Sequence, residues 1–278
     1  MKPIKTIAIQ GDQASFHDIA TAKLFGDSGR VYCDTFAGTF RALAEDRADY
    51  AVVAIENSLY GSINEVYDLL LKHEFSIVAE TYLRIEQCLI GFPGTKLEEI
   101  EAVYSHPVAL AQCEEFLETV LPEASRNEAH DTAGSVAYIA EQDTPRFAAI
   151  ASAEAAALYG MDVLKHSIET NKENYTRFVV LSKTRTSVFS GVANKSTLVV
   201  TTTHQPGALY DALGVFAKQG INLSKLQSRP IIGKAWHYMF YIDIAAASGA
   251  LTSAKHELEA QGCTVTILGS YKSGIEPS

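Results

Sequence analysis

No apolar run in the sequence approaches the roughly 18 to 20 residues that would cross a bilayer, so a membrane role is not expected. Nor does residues 1–9 carry a signal-peptide apolar core or a small-residue cleavage site, and the expected location is the cytoplasm. Cysteine is scarce. Cys33, Cys88, Cys113 and Cys263 lie 25 or more residues apart, outside any C-x-x-C or Cys/His ligand spacing, and read as reduced, mostly buried thiols. An excess of basic residues is also missing: the net charge of −10 disfavours nucleic acid, whose binding depends on neutralising phosphates. G-x-G-x-x-G, H-E-x-x-H and G-x-S-x-G are all absent, and residues 189–196 end in Lys195-Ser196 like a phosphate loop but hold Phe189 and Asn194 where glycine is required. No cofactor and no metal are expected; the reaction would run on side chains alone.

What is present is an ordinary globular composition, 47% hydrophobic and 20% charged, with a charge step along the chain. Residues 194–278 hold seven Lys/Arg against five Asp/Glu, leaving 16 against 28 in residues 1–193. The step marks a boundary near 190. Before it, short apolar runs alternate with helix-like segments, a βαβ pattern that predicts a largely parallel sheet. Strands are predicted at 4–9, 31–34, 50–56, 75–82, 88–92, 102–104, 147–151 and 163–168. Helices are predicted at 16–25, 36–45, 63–72, 107–120, 132–142 and 152–159. The strongly apolar strand 175–181 follows all of these. Its return to the first lobe would divide the region into 1–83 plus 170–185 and 84–169, with a crevice at the strand ends. The polar, Ser/Thr-rich segment 183–195 reads as a linker or exposed hairpin. After it, strands at 196–203, 221–229, 236–244 and 263–271 and helices at 208–219 and 250–261 give the order βαββαβ, the split ferredoxin-like motif, over residues 195–278. The edge strands of such a sheet favour pairing with a second copy.

Several strand ends carry polar groups. Glu56-Asn57-Ser58 ends one strand, where an Asx turn would explain the residues as readily as a site. Ser105-His106-Pro107 ends another, with Ser105 expected as N-cap and Pro inside the first turn; such a helix start presents free N–H groups to an anion. Asp131-Thr132-Ala133-Gly134-Ser135 repeats the arrangement. Thr176-Arg177-Phe178 differs, because an arginine inside an apolar strand needs an anion: either a structural carboxylate or that of a substrate. In the C-terminal module, Gly207-Ala208-Leu209 and Asn222-Leu223 suit either turn chemistry or an amino-acid pocket.

In order along the chain, Ile55-Glu56-Asn57-Ser58, Ser105-His106-Pro107-x-Ala109-Leu110-x-Gln112-Cys113, Asp131-Thr132-Ala133-Gly134-Ser135, Ala149-Ile150-Ala151-Ser152 and Asn174-x-Thr176-Arg177-Phe178 resemble the prephenate dehydratase family. Gly207-Ala208-Leu209 and Ser228-Arg229-Pro230 resemble its ACT regulatory domain. The resemblance implies an α/β catalytic region of two lobes similar to type II periplasmic binding proteins, a ferredoxin-like ACT domain, and a phenylalanine-inhibited homodimer or homotetramer. It implies conversion of prephenate to phenylpyruvate, with arogenate dehydration and a non-catalytic amino-acid-binding regulator as alternatives. Carried over residue by residue, the important positions match Glu56, Asn57, Ser105, Gln112, Cys113, Thr176, Arg177 and Phe178, with His106 as a helper. Arg177 and the helix start at Ser105 are expected to hold carboxylates, Asn57 to orient the substrate, Thr176 to assist departure of the hydroxyl and Phe178 to pack on the ring. Phenylalanine is expected at Gly207, Ala208, Leu209, Asn222 and Leu223. One departure stands out: where the family has a Gly-Pro-x-Gly turn, this chain reads Gly11-Asp12-Gln13-Ala14-Ser15-Phe16-His17.

Overall fold

The computed structural model describes residues 5–185, 189, 191–246 and 248–275. Ile4 of the predicted first strand, and residues 186–188 and Ser190 of the predicted linker, lie outside the described residues.

The chain begins with β1 (Thr6–Gln10), α1 (Phe16–Phe25), β2 (Gly29–Cys33), α2 (Phe36–Ala44), β3 (Tyr50–Asn57), β4 (Gly61–Ser62), α3 (Asn64–His73) and β5 (Ser76–Arg84). It continues through β6 (Cys88–Gly91), β7 (Ala102–Ser105), α4 (Pro107–Gln112), α5 (Glu114–Val120), β8 (Ser125–Glu128), α6 (Thr132–Gln142), β9 (Phe147–Ala151), α7 (Ala153–Tyr159) and β10 (Asp162–Lys165), then returns in β11 (Tyr175–Ser182). One sheet has the order β2-β1-β3-β11-β5, with β4 added to β3, and a second has β10-β6-β9-β7-β8. Strand β11 therefore inserts between β3 and β5, as its apolar composition required. The chain crosses between the two lobes twice, at 85–87 and at 166–174.

Side chains cap the helices that matter for the site. Ser15, Thr35, Asp131 and Ser152 each accept a hydrogen bond from the N–H three residues on, and α7 ends on Gly160 in the left-handed region. The helix expected over 107–120 is two helices. The Gln112 carbonyl, which a continuous helix would bond to residue 116, instead accepts from the Thr170 N–H at 2.8 Å, and Cys113 leaves helical geometry with φ −105° and ψ 14°. Strand β8, Ser-Arg-Asn-Glu, has no apolar alternation and lies at a sheet edge.

After the boundary come β12 (Lys195–Thr201), α8 (Ala208–Lys218), β13 (Asn222–Pro230), β14 (Tyr238–Ala245), α9 (Ser248–Ala260) and β15 (Thr264–Tyr271). They form the expected βαββαβ unit with an antiparallel sheet of order β13-β14-β12-β15 over a core that includes Leu198, Val215, Phe216, Ile242, Ile244 and Leu258.

By internal contacts the chain forms two compact units, residues 1–66 with 82–178 and residues 67–81 with 179–278. In the second unit the Tyr67 and Tyr241 rings lie 4.4 Å apart, Arg229 pairs with Asp68 at 2.7 Å and Lys195 with Glu80 at 3.1 Å. A Cβ on Gly269 would stand 2.1 Å from the Ile77 carbonyl, so strand and backbone meet there with no room for a side chain. Among the described residues, no helix is long and apolar enough to cross a membrane.

Candidate active site

At the carboxyl ends of β1, β3, β7 and β8, where α/β sheets receive ligands, lies a cavity of about 430 Å³. The first turns of α1, α2, α4 and α6 all reach it, through Phe16 and His17, Phe36, Val108 and Thr132. In α1, α2 and α6 the capping side chain takes the third N–H, leaving the first two N–H groups and the positive end of the helix dipole for an anion. Among the described residues, no Lys or Arg lines the cavity.

Asn57, Thr176, Phe178, His106 and Gln112, all expected from the sequence, are on its wall. Asn57 is fully engaged. Its amide N–H groups donate to Asn174 Oδ1 (2.8 Å), the Tyr175 carbonyl (3.2 Å) and Thr176 Oγ1 (3.0 Å), and its Oδ1 accepts from the Leu59 and Tyr60 N–H groups (3.0 Å each). The expected Asx turn and the expected site are thus one arrangement, and what Asn57 orients is Thr176. Because Thr176 Oγ1 accepts that bond, its own proton has no acceptor among the described residues and is available to the cavity. Gln112 accepts from Gln87 Nε2 at 3.0 Å, which frees its own amide N–H groups in the same way.

Arg177 and Glu56 do not line the cavity. Side chains alternate along a strand, so Thr176 and Phe178 share one face of β11 and Arg177 takes the other. There the guanidinium, 4% exposed, lies 3.7 Å from the Glu56 carboxylate, an anion supplied by the chain itself. Ser105 is corrected too. It is the last residue of β7, fully buried, and donates to the Ile150 carbonyl at 2.6 Å; the N-cap is His106, whose Nδ1 accepts from the Val108 N–H at 3.2 Å. Cys113 is buried in the core of the second lobe, and burial pushes its thiol far up.

The residue missed in the sequence is His17. Its Nε2 accepts from the Ala54 N–H at 3.1 Å, which fixes the proton on Nδ1, and its ring meets Phe178 edge-on at 5.1 Å and Phe36 at 5.7 Å. Burial lowers its pKa to about 4, so the imidazole is neutral near pH 7. Nδ1–H, with no acceptor among the described residues, is a third donor on the wall. The available signal was the altered turn before α1, which ends in histidine.

In the C-terminal unit, Ala208 and Leu209 line a small hollow of about 150 Å³ beside Gly207, whereas Asn222 and Leu223 line a separate open groove. A single chain does not bring the two sets together.

The family model for prephenate dehydratase matches residues 7–186, and that for the ACT domain residues 196–252. A bifunctional chorismate mutase/prephenate dehydratase from Escherichia coli K12 is 37% identical, over 96% of this chain and 70% of that protein; arogenate dehydratase 2 from Petunia hybrida is 36% identical, over 96% and 71%. Among solved structures, prephenate dehydratase from Arthrobacter aurescens in complex with L-Phe superposes with a TM-score of 0.86 at 31% identity, over 96% and 89% of the two chains. One described as a novel type of quorum-quenching acylase has a TM-score of 0.84 at 32% identity, over 97% and 98%. With the matched model spanning most of the α/β region and the βαββαβ unit following it, the chain belongs to the prephenate dehydratase family and carries a C-terminal ACT domain.

Proposed function

We propose that this protein is a prephenate dehydratase, and that the hydroxyl of Thr176 assists the leaving group. The observation that carries this reading is the Asn57–Thr176 hydrogen bond: an amide that donates to Oγ1 both orients the hydroxyl and polarises its proton toward the cavity. Prephenate has two carboxylates and a ring hydroxyl, and loss of CO₂ together with hydroxide makes the ring aromatic. In this reading the helix starts of α1, α2 and α6 receive the side-chain carboxylate, in place of Arg177. The ring lies against Phe178, Phe36 and Ile63, an apolar surface on which the carboxylate to be lost is poorly solvated, favouring its departure as neutral CO₂. The His17 and Gln112 donors hold oxygens of the substrate, and Arg177 with Glu56 stiffens the strand that presents Thr176.

A second reading, arogenate dehydration, is favoured by Asp131, a carboxylate on a wall with no Lys or Arg among the described residues, where the ammonium of arogenate would find a partner. An acylase reading gains nothing from His17 or His106, whose Nε2 and Nδ1 are both taken by backbone N–H groups.

For regulation, phenylalanine would bind between paired ACT domains, with Gly207, Ala208 and Leu209 from one copy and Asn222 and Leu223 from another, in a homodimer or homotetramer. The free cysteines suit a cytoplasmic setting. Prephenate and arogenate supplied separately, with and without phenylalanine, test the assignment. Thr176→Val is expected to lower kcat about 10²- to 10⁴-fold with the melting temperature little changed; an active Thr176→Val enzyme overturns the role of the hydroxyl.

A further inference from the structure

Away from the cavity, three potential ligand atoms converge where the chain crosses between the lobes. Glu86 lies on the first crossover, Cys88 opens β6, and His166 starts the second crossover immediately after β10. Cys88 Sγ is 3.5 Å from His166 Nδ1, which is 3.6 Å from Glu86 Oε1, and the three atoms lie within 4.8 Å of one another. A tetrahedral zinc ion with bonds of about 2.3 Å to sulfur and 2.0–2.1 Å to nitrogen and oxygen holds its ligands roughly 3.5 Å apart. We propose that Glu86, Cys88 and His166 form a site for a thiophilic divalent cation such as Zn²⁺, with a fourth position open to water.

The carboxylates of Glu86, Glu169 and Glu154 stand around the Cys88 sulfur and attract a dication there. On binding, the thiol proton leaves to solvent and sulfur joins the metal as thiolate. The turn that carries His166 is constrained. Ser167 sits in the left-handed region at φ 50°, its hydroxyl donates to Glu86 Oε1 at 2.8 Å, and Lys172 donates to its carbonyl. Arg84 holds the other oxygen of Glu86 at 3.3 Å, which leaves Oε1 as the ligand atom.

A cation here would fasten one crossover to the other. The two segments are already joined by the Ile168 N–H donating to the Gln87 carbonyl at 2.9 Å, and Gln87 itself bonds Gln112 on the cavity wall. The site would thus tie together the two segments that join the lobes.

The test uses the full chain stripped with a chelator and titrated with Co²⁺, then Zn²⁺. One equivalent of Co²⁺ is expected to bind with a thiolate-to-cobalt charge-transfer band, and Zn²⁺ to displace it. His166→Ala, at an exposed position, should keep the fold and weaken binding at least about 10-fold; Cys88→Ser should abolish the band. Absence of the band in the parent protein, its survival in Cys88→Ser, or unchanged affinity in His166→Ala would each overturn the proposal.

Discussion

In the core of the C-terminal unit, Lys195 lies 3.1 Å from Glu80, and the same carboxylate oxygen accepts from the Gly274 N–H and the Ser273 hydroxyl at 3.1 and 3.2 Å. Nearby, Thr197 is held between Asp243 and the Tyr271 hydroxyl at 2.6 Å each. On the cavity wall, by contrast, Thr176, Gln112 and His17 are as deeply placed yet each keeps a donor without a protein acceptor among the described residues. Burying a polar group costs free energy unless it is bonded, so the first cluster is closed for stability and the second is left open for a ligand to complete. The Arg177–Glu56 pair belongs with the closed kind although it adjoins the open one.

The contrast is most exposed to failure at Lys195. Lys195→Met leaves the Glu80 carboxylate buried without its cation and should lower unfolding free energy by about 3–5 kcal/mol, with Glu80→Leu in the same chain recovering part of it. Urea unfolding measures both; a neutral Lys195→Met would mean the cluster is not closed.

A somewhat smaller effect is expected at His17. The folded protein keeps this imidazole neutral down to about pH 4, whereas the unfolded chain takes up a proton near the ordinary value of 6.5. Its share of stability is therefore complete above pH 6.5 and is lost as pH falls from 6.5 to 4, by about 3 kcal/mol. Urea unfolding between pH 7 and 4 should show a shallower loss in His17→Gln; an equal loss would mean that His17 is protonated in the folded state.

The smallest expected effect distinguishes architecture from substrate binding. A double-mutant cycle of Arg177→Met and Glu56→Gln should give a coupling of about 0.5–3 kcal/mol in stability. A rise in KM for Arg177→Met with no coupling to Glu56 would return the guanidinium to substrate binding.

The alternation of apolar runs and helix starts made the α/β sheets, the return of β11 and the βαββαβ order readable, because burial on both faces of a sheet and capping by Ser, Thr and Asp are local signals. The second sheet, however, is mixed rather than largely parallel, β6 running antiparallel to both β9 and β10. Strand β8 was not readable, being polar and at an edge, nor was the break at Cys113, which depends on the Thr170 amide far along the chain. Within the site, Asn57, His106, Gln112, Thr176 and Phe178 could be named from motifs. The face taken by Arg177 was available from the two-residue period of a strand, since Thr176 and Phe178 cannot both line the cavity without excluding it. The Glu86–Cys88–His166 cluster was out of reach, because residues 88 and 166 meet only through the antiparallel pairing of β10 with β6.

The close approach of Gly269 to Ile77 bears on how portable the ACT unit is. Residues 67–81 come from the middle of the chain, yet they supply the counter-ion of Lys195, the partner ring of Tyr241 and the backbone against which Gly269 lies. A fragment cut at residue 194 would carry Lys195 without Glu80, Tyr241 without the Tyr67 ring, and Gly269 without the Ile77 backbone. This ACT unit is not a cassette that transfers by its own sequence alone, and a graft onto another enzyme would have to bring a matching helix and strand with it.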